Sequence, residues 1–81
     1  MKKLTLKKAE RMMEENNGNL DLYGSDVEEL PDNLTVGGWL DLRNTEITAL
    51  PNNLYVKGNL YCNKDLMIPE SVKVEGKIFK Y

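Results

Sequence analysis

Histidine is absent from the 81 residues, and cysteine occurs once, at Cys62. Without histidine the chain lacks the commonest general base near neutral pH. A single thiol forms no internal disulfide, and with no histidine beside it neither a zinc-finger ligand set nor a Cys–His nucleophile pair can be assembled. No apolar run approaches the length of a membrane span, and the opening "MKKLTLKKAER" lacks the apolar core of a secretory signal peptide. These absences point away from membranes and from the common hydrolase chemistries. The expectation is a non-catalytic protein of a reducing cytoplasm, with no cofactor.

Basic residues are also missing where a nucleic-acid binder would need them. Residues 18–37 carry Asp21, Asp26, Glu28, Glu29 and Asp32 and not one Lys or Arg, whereas residues 1–17 balance to +2, 38–57 to zero and 58–81 to +1. Such a gradient steers an approaching partner, but it provides no basic patch, so nucleic acid is not the expected partner.

What the chain does have is self-similarity. "GNLDLYGSDVEELPDNLTVG" (18–37) aligns with "GWLDLRNTEITALPNNLYVK" (38–57) at nine identical positions of twenty. A third unit, "GNLYCNKDLMIPESVKVE" (58–75), keeps the frame with two residues deleted, and a fourth begins with "GKIFKY" (76–81). A unit this short cannot bury its apolar side alone, so neighbours must stack. Across "LTVGGWLDL" the alternation places Leu34, Val36, Gly38, Leu40 and Leu42 inward and Thr35, Gly37, Trp39, Asp41 and Arg43 outward. Gly38 is either the bend between two strand halves or a point of close backbone approach. Ile47, Leu50 and Leu54 turn inward after the strand, and Pro51 stops any helix.

Ahead of the repeats, "LTLKKAERMMEENNG" predicts a helix capped by Thr5, starting near Leu6 and ending at Asn17 or Gly18. Leu6, Ala9, Met12 and Met13 share one face, suited to cover the open first edge of the stack. The fold expected is an α/β repeat solenoid forming one domain. A capping helix within residues 1–17 precedes about three repeats and a final strand, which build a short parallel sheet.

The segment "LDLRNTEITALPNNLYV" resembles a bacterial or phage-encoded leucine-rich repeat of the short Leu-Pro kind. Leu40, Leu42, Ile47, Leu50, Pro51, Leu54 and Val56 fill the pattern's apolar and proline positions, and the likeness covers residues 18–81. It departs at Ser25 and Thr45, which stand where the usual pattern has an asparagine that satisfies turn carbonyls. The resemblance implies a recognition scaffold in a bacterial cytoplasm. In its sharpest form it implies a phage-encoded inhibitor of a host or anti-phage defence protein, such as a CRISPR effector.

All six aromatic residues fall on outward positions: Tyr23, Trp39, Tyr55, Tyr61, Phe79 and Tyr81. In-register stacking places Trp39 beside Asn19 and Asn59, and Tyr61 beside Phe79. With Asp41 and Arg43 these residues form the candidate partner-binding face, since Trp, Tyr and Arg dominate binding hot spots. Asp21 and Asp41 stack at one repeat position, but Tyr61 and Phe79 take that position next door, so repeat drift explains the pair better than a metal site. Two other readings of the face are a sponge for a nucleotide or signalling ligand, with aromatics stacking the base and Arg43, Lys57 or Lys77 meeting phosphates, and a homo-oligomer built through the C-terminal edge strand. Cys62 reads as a small core residue.

Overall fold

The computed structural model describes residues 2–81, so Met1 of the expected cap lies outside the described residues. The order is α1 (Leu6–Glu14), β1 (Leu20–Asp21), β2 (Thr35–Val36), β3 (Leu40–Asp41), β4 (Tyr55–Val56), β5 (Leu60–Cys62), β6 (Lys73–Val74) and β7 (Ile78–Lys80). The fold is α/β, with one helix and two parallel sheets, a four-stranded β1-β3-β5-β7 and a three-stranded β2-β4-β6.

The second sheet corrects the expectation of one. The alternation along "LTVGGWLDL" holds, since Leu34, Val36, Leu40 and Leu42 are all buried. The chain nonetheless turns at residues 37–39, so the two halves join different sheets. Parity alone does not show such a corner, because two glycines let the backbone turn without moving any side chain to the other face. Gly38 is both the bend and a close approach. Its N–H donates to Gly18 O at 2.9 Å, Gly58 N–H donates to Gly38 O at 2.9 Å, and Gly76 N–H to Gly58 O at 3.1 Å. The ladder therefore continues around the corner.

Register follows the sequence frame. Leu20 pairs with Leu40, Leu40 with Leu60, and Leu60 with Ile78, the last step shortened by the two-residue deletion. In the other sheet Val36 pairs with Val56 and Val56 with Val74. The core is the stack of Leu20, Leu40, Leu60, Val36 and Val56 with Leu22, Leu42, Cys62, Leu34, Leu54, Ile47 and Leu66, while Val74 packs beside it and Ile78, on the last strand, is 43 % exposed. Each fully buried leucine contributes about 1.5–3 kcal/mol relative to exposure.

The helix begins as expected, with Thr5 Oγ1 accepting from Lys8 N–H at 3.2 Å. It ends at Glu14, before Asn17 and Gly18, whose φ values of +55° and +88° reverse the chain. Ala9 is wholly buried and Met12 and Met13 pack beside the core. Leu6, expected on the buried face, is 41 % exposed. The small Ala9 is the helix's fully buried point, so contact narrows to one stripe and leaves the first turn outside. Residues 2–4 add something not anticipated: Lys3 forms a parallel bridge with Glu29, and Leu4 enters the core.

The two repeat-equivalent hydroxyls at Ser25 and Thr45 differ in their bonding. Thr45 Oγ1 donates to Leu42 O at 2.7 Å. Ser25 Oγ is buried with no partner among the described residues. Asparagines instead ladder elsewhere: Asn33 and Asn53 adopt φ of +62° and +59°, and Asn53 Nδ2 donates to Asn33 Oδ1 at 2.9 Å. Thr45→Ala should therefore cost about 1 kcal/mol in urea unfolding, while Ser25→Ala costs nothing or stabilises slightly. Equal losses for both would show that the two hydroxyls are equivalent.

Candidate functional site

The outward side of the four-stranded sheet is built on three rows of repeat-equivalent positions. The first row is Asn19, Trp39, Asn59 and Lys77. Asn19 Oδ1 accepts Trp39 N–H at 2.9 Å, and Asn59 Oδ1 accepts Lys77 N–H at 2.9 Å. Each amide ties its repeat to the next. Trp39 occupies the same position and offers no acceptor there. A residue type that serves the fold twice gives way there to an indole.

The second row is Asp21, Asp41, Tyr61 and Phe79, set side by side by the strand register. Tyr61 lies parallel to Phe79, with ring centres 5.3 Å apart and planes 10° apart. Trp39, on the strand to the other side, forms a T-shaped pair with Tyr61, at 6.5 Å and 78°. Both geometries are favourable aromatic pairings, each contributing about 0.5–1.5 kcal/mol beyond area burial.

The third row is Tyr23, Arg43, Asn63 and Tyr81. The Arg43 Cζ lies 5.0 Å from the ring centre of Tyr23, 5.7 Å from Tyr61 and 4.9 Å from Tyr81. Arg43 is bound bidentately to Asp41, Nε to Oδ1 at 3.0 Å and Nη2 to Oδ2 at 2.7 Å, and its own N–H also donates to Oδ1 at 3.1 Å. The hydrogen bonds that Arg43 donates to Asp41 raise the guanidinium pKa above its ordinary value; burial partly opposes the shift and the charge of Asp41 adds to it.

Seven of the eight expected residues thus form one contact network: Tyr23, Trp39, Asp41, Arg43, Tyr61, Phe79 and Tyr81. Asp41 departs from expectation in exposure, being 6 % exposed. Arg43, two residues ahead on the same face, folds back over the carboxylate and covers it. Tyr55 stands apart on β4 in the other sheet, where the Lys73 ammonium lies 5.6 Å from its ring centre. A hydrogen bond with Glu75 pushes its phenol pKa up. The corner at residues 57–59, equivalent to that at 37–39, separates it from the network, as parity could not show.

Asn44 was not singled out by sequence. Its Nδ2 donates to Tyr23 Oη at 2.9 Å while its N–H donates to Asn63 Oδ1 at 2.9 Å. Asn59 Nδ2 likewise donates to Tyr61 Oη at 3.2 Å. The only signal for Asn44 was its place one residue after Arg43. Cys62, opposite on the inward side, is buried, and burial pushes its thiol pKa up while Lys80 partly opposes the shift. It is a poor nucleophile at neutral pH. Among the described residues no three His, Cys, Asp or Glu gather as a metal site requires, and no helix is long and apolar enough to cross a membrane.

Grooves lie among loop residues 28–32, 46–52 and 67–69 and along the helix. The candidate site is a pre-packed aromatic surface with one ion pair at its centre. No family model, curated protein or solved structure matches this chain.

Proposed function

We propose that this chain is a non-catalytic protein-binding module, a short solenoid of leucine-rich-repeat type that meets its partner with the outward face of the four-stranded sheet. The observation that carries the reading is the network of Trp39, Tyr61 and Phe79 with Arg43 held among three tyrosines. These are the residue types that dominate hot spots. Their side chains are already ordered by one another, so binding costs less rotamer entropy. The widest side of the molecule measures 29 by 28 Å, about the ~800 Å² that a standard interface takes from each partner. A stable complex would engage a whole side.

Two features weigh against a nucleotide sponge. The central ring, Tyr61, is stacked on Phe79 and packed against Trp39, so a base would have to stack on the outer rings. Arg43 is already neutralised by Asp41. The bare edge of β7 keeps self-association as a weaker reading, and the resemblance to bacterial and phage repeats motivates a defence or host protein as partner.

Trp39→Ala combined with Tyr61→Ala should keep the circular dichroism of the fold and reduce capture of the partner from a bacterial lysate at least about 30-fold, the loss of one strong hot spot. A variant that folds and still captures the same protein equally well would exclude the face. A thermal-shift screen with millimolar nucleotides should show no stabilisation; a saturable shift would favour the sponge.

A further inference from the structure

The sheet that carries the aromatic face is covered at one side and open at the other. Helix α1 packs on β1, whereas β7 is the last strand of the order β1-β3-β5-β7. Ile78 stands in register with Leu20, Leu40 and Leu60, which are 0 % exposed, yet Ile78 is 43 % exposed. Phe79 stacks one ring face on Tyr61 and is 38 % exposed.

The ladder identifies the groups that this edge leaves unpaired. The N–H groups of Leu20, Leu40 and Leu60 donate to Trp39 O, Asn59 O and Lys77 O on the strand that follows. Ile78 holds the same position on β7 and, among the described residues, no strand follows it. Lys77 O accepts from Leu60 N–H, and Tyr81 N–H donates to Cys62 O, so residues 77, 79 and 81 turn their main-chain groups toward β5. The N–H and C=O of Ile78 and Lys80 therefore point away from the sheet. Gly76 N–H is already engaged by Gly58 O at 3.1 Å.

We propose that two copies of this chain join through β7, antiparallel about a twofold axis at Phe79, so that their two four-stranded sheets become one. The unpaired groups select both the occupant and the register. With the axis at Phe79, Ile78 lies opposite Lys80 of the second copy and the two exchange both hydrogen bonds, which satisfies every free group of residues 78 and 80. An axis at Ile78 would set Lys80 opposite Gly76, whose N–H is taken, and would leave Lys80 O without a donor.

The side chains agree with this register. Phe79 meets its counterpart across the pair that carries no hydrogen bonds, where side chains come closest. The row Trp39, Tyr61, Phe79 thus continues through the axis. Lys77, which meets no carboxylate among the described residues, lies opposite the ring of Tyr81. Lysine commonly guards an edge strand, but the Lys80 ammonium is drawn back onto Leu66 O at 3.0 Å. Because α1 covers β1, head-to-tail growth is blocked and the assembly closes as a pair. The outward faces lie side by side, so the pair presents the aromatic surface twice, whatever that surface meets.

The test is sedimentation of the 81-residue chain from roughly 10 µM to 1 mM, with amide NMR on the same series. The expected result is a monomer–dimer equilibrium without larger species, with dilution shifts largest at Ile78 and Lys80. Lys80→Pro removes from the main chain only an N–H that the β5 ladder does not use. It should keep the circular dichroism and weaken the dimer at least about tenfold, since two hydrogen bonds are lost per dimer. Phe79→Cys should form an intermolecular disulfide on mild oxidation, because opposed α-carbons in such a pair lie about 4.5 Å apart. Lys77→Cys alone should not, yet should cross-link when mixed with Tyr81→Cys. The proposal is overturned if the chain stays monomeric at the highest concentration, if larger species form, or if a folded Lys80→Pro variant dimerises as strongly. It is overturned too if Phe79→Cys cross-links no better than Lys77→Cys, a comparison that decides even where Lys80→Pro fails to fold.

Discussion

Gly58→Ala is expected to cost the fold about 3 kcal/mol or more in urea unfolding, and Gly58→Val to leave the chain largely unfolded. A methyl group at Gly58 would lie 2.8 Å from both the carbonyl carbon and oxygen of Gly38 and 3.0 Å from the nitrogen of Trp39. These are backbone atoms, and they belong to the ladder itself, since Gly58 N–H donates to Gly38 O. They cannot retreat without breaking the hydrogen bonds that join the repeats at the corner. An 81-residue domain holds roughly 4–12 kcal/mol in total, so the loss consumes much of it. Two controls isolate the cause. Gly37→Ala meets only ordinary contacts at 3.8–4.0 Å and should be neutral or slightly stabilising. Gly24, at φ +69° with open space around it, should lose about 1 kcal/mol on replacement by Ala, from backbone conformation alone. If Gly58→Ala matched Gly37→Ala, the close approach at the corner would be wrong.

Asp41→Ala should destabilise by about 2 kcal/mol, and more than Asp41→Asn. The carboxylate is nearly buried and accepts three hydrogen bonds from Arg43. Asn can still accept from the Arg43 N–H, whereas Ala leaves every one of these donors without its partner. Arg43→Ala should also destabilise, because it strips the nearly buried carboxylate of its counter-ion. The double variant Asp41→Ala with Arg43→Ala should lose clearly less than the sum of the two, as contacting partners do in a double-mutant cycle. Near-ultraviolet circular dichroism should change in each variant, because Tyr23, Tyr61 and Tyr81 surround the guanidinium. Additive losses with unchanged aromatic signals would show that the pair does not organise the rings.

The repeat frame was legible because identical spacings recur. Leu20, Leu40 and Leu60 could be aligned by eye, and the two-residue deletion predicted that Ile78 would follow Leu60 in register. The placement of Tyr61 against Phe79 followed from that frame. Three things did not follow. The glycine corner conserves parity, so Tyr55 appeared to share a surface from which it is separated. The covering of Asp41 depends on the direction in which one long side chain folds, which periodicity does not encode. The docking of residues 2–4 pairs segments with no repeat relation, so no internal alignment could reveal it.

Arg43 has one more consequence. Stacked repeats usually couple only to their nearest neighbours, and such arrays melt from their ends inward. Here one guanidinium contacts rings from the first, third and fourth units while belonging to the second. Fraying of the last strand therefore disturbs a contact shared with the first, and opening at either end is felt at the other. The chain should lose its structure in a single concerted step, with hydrogen-exchange protection nearly level from β1 to β7.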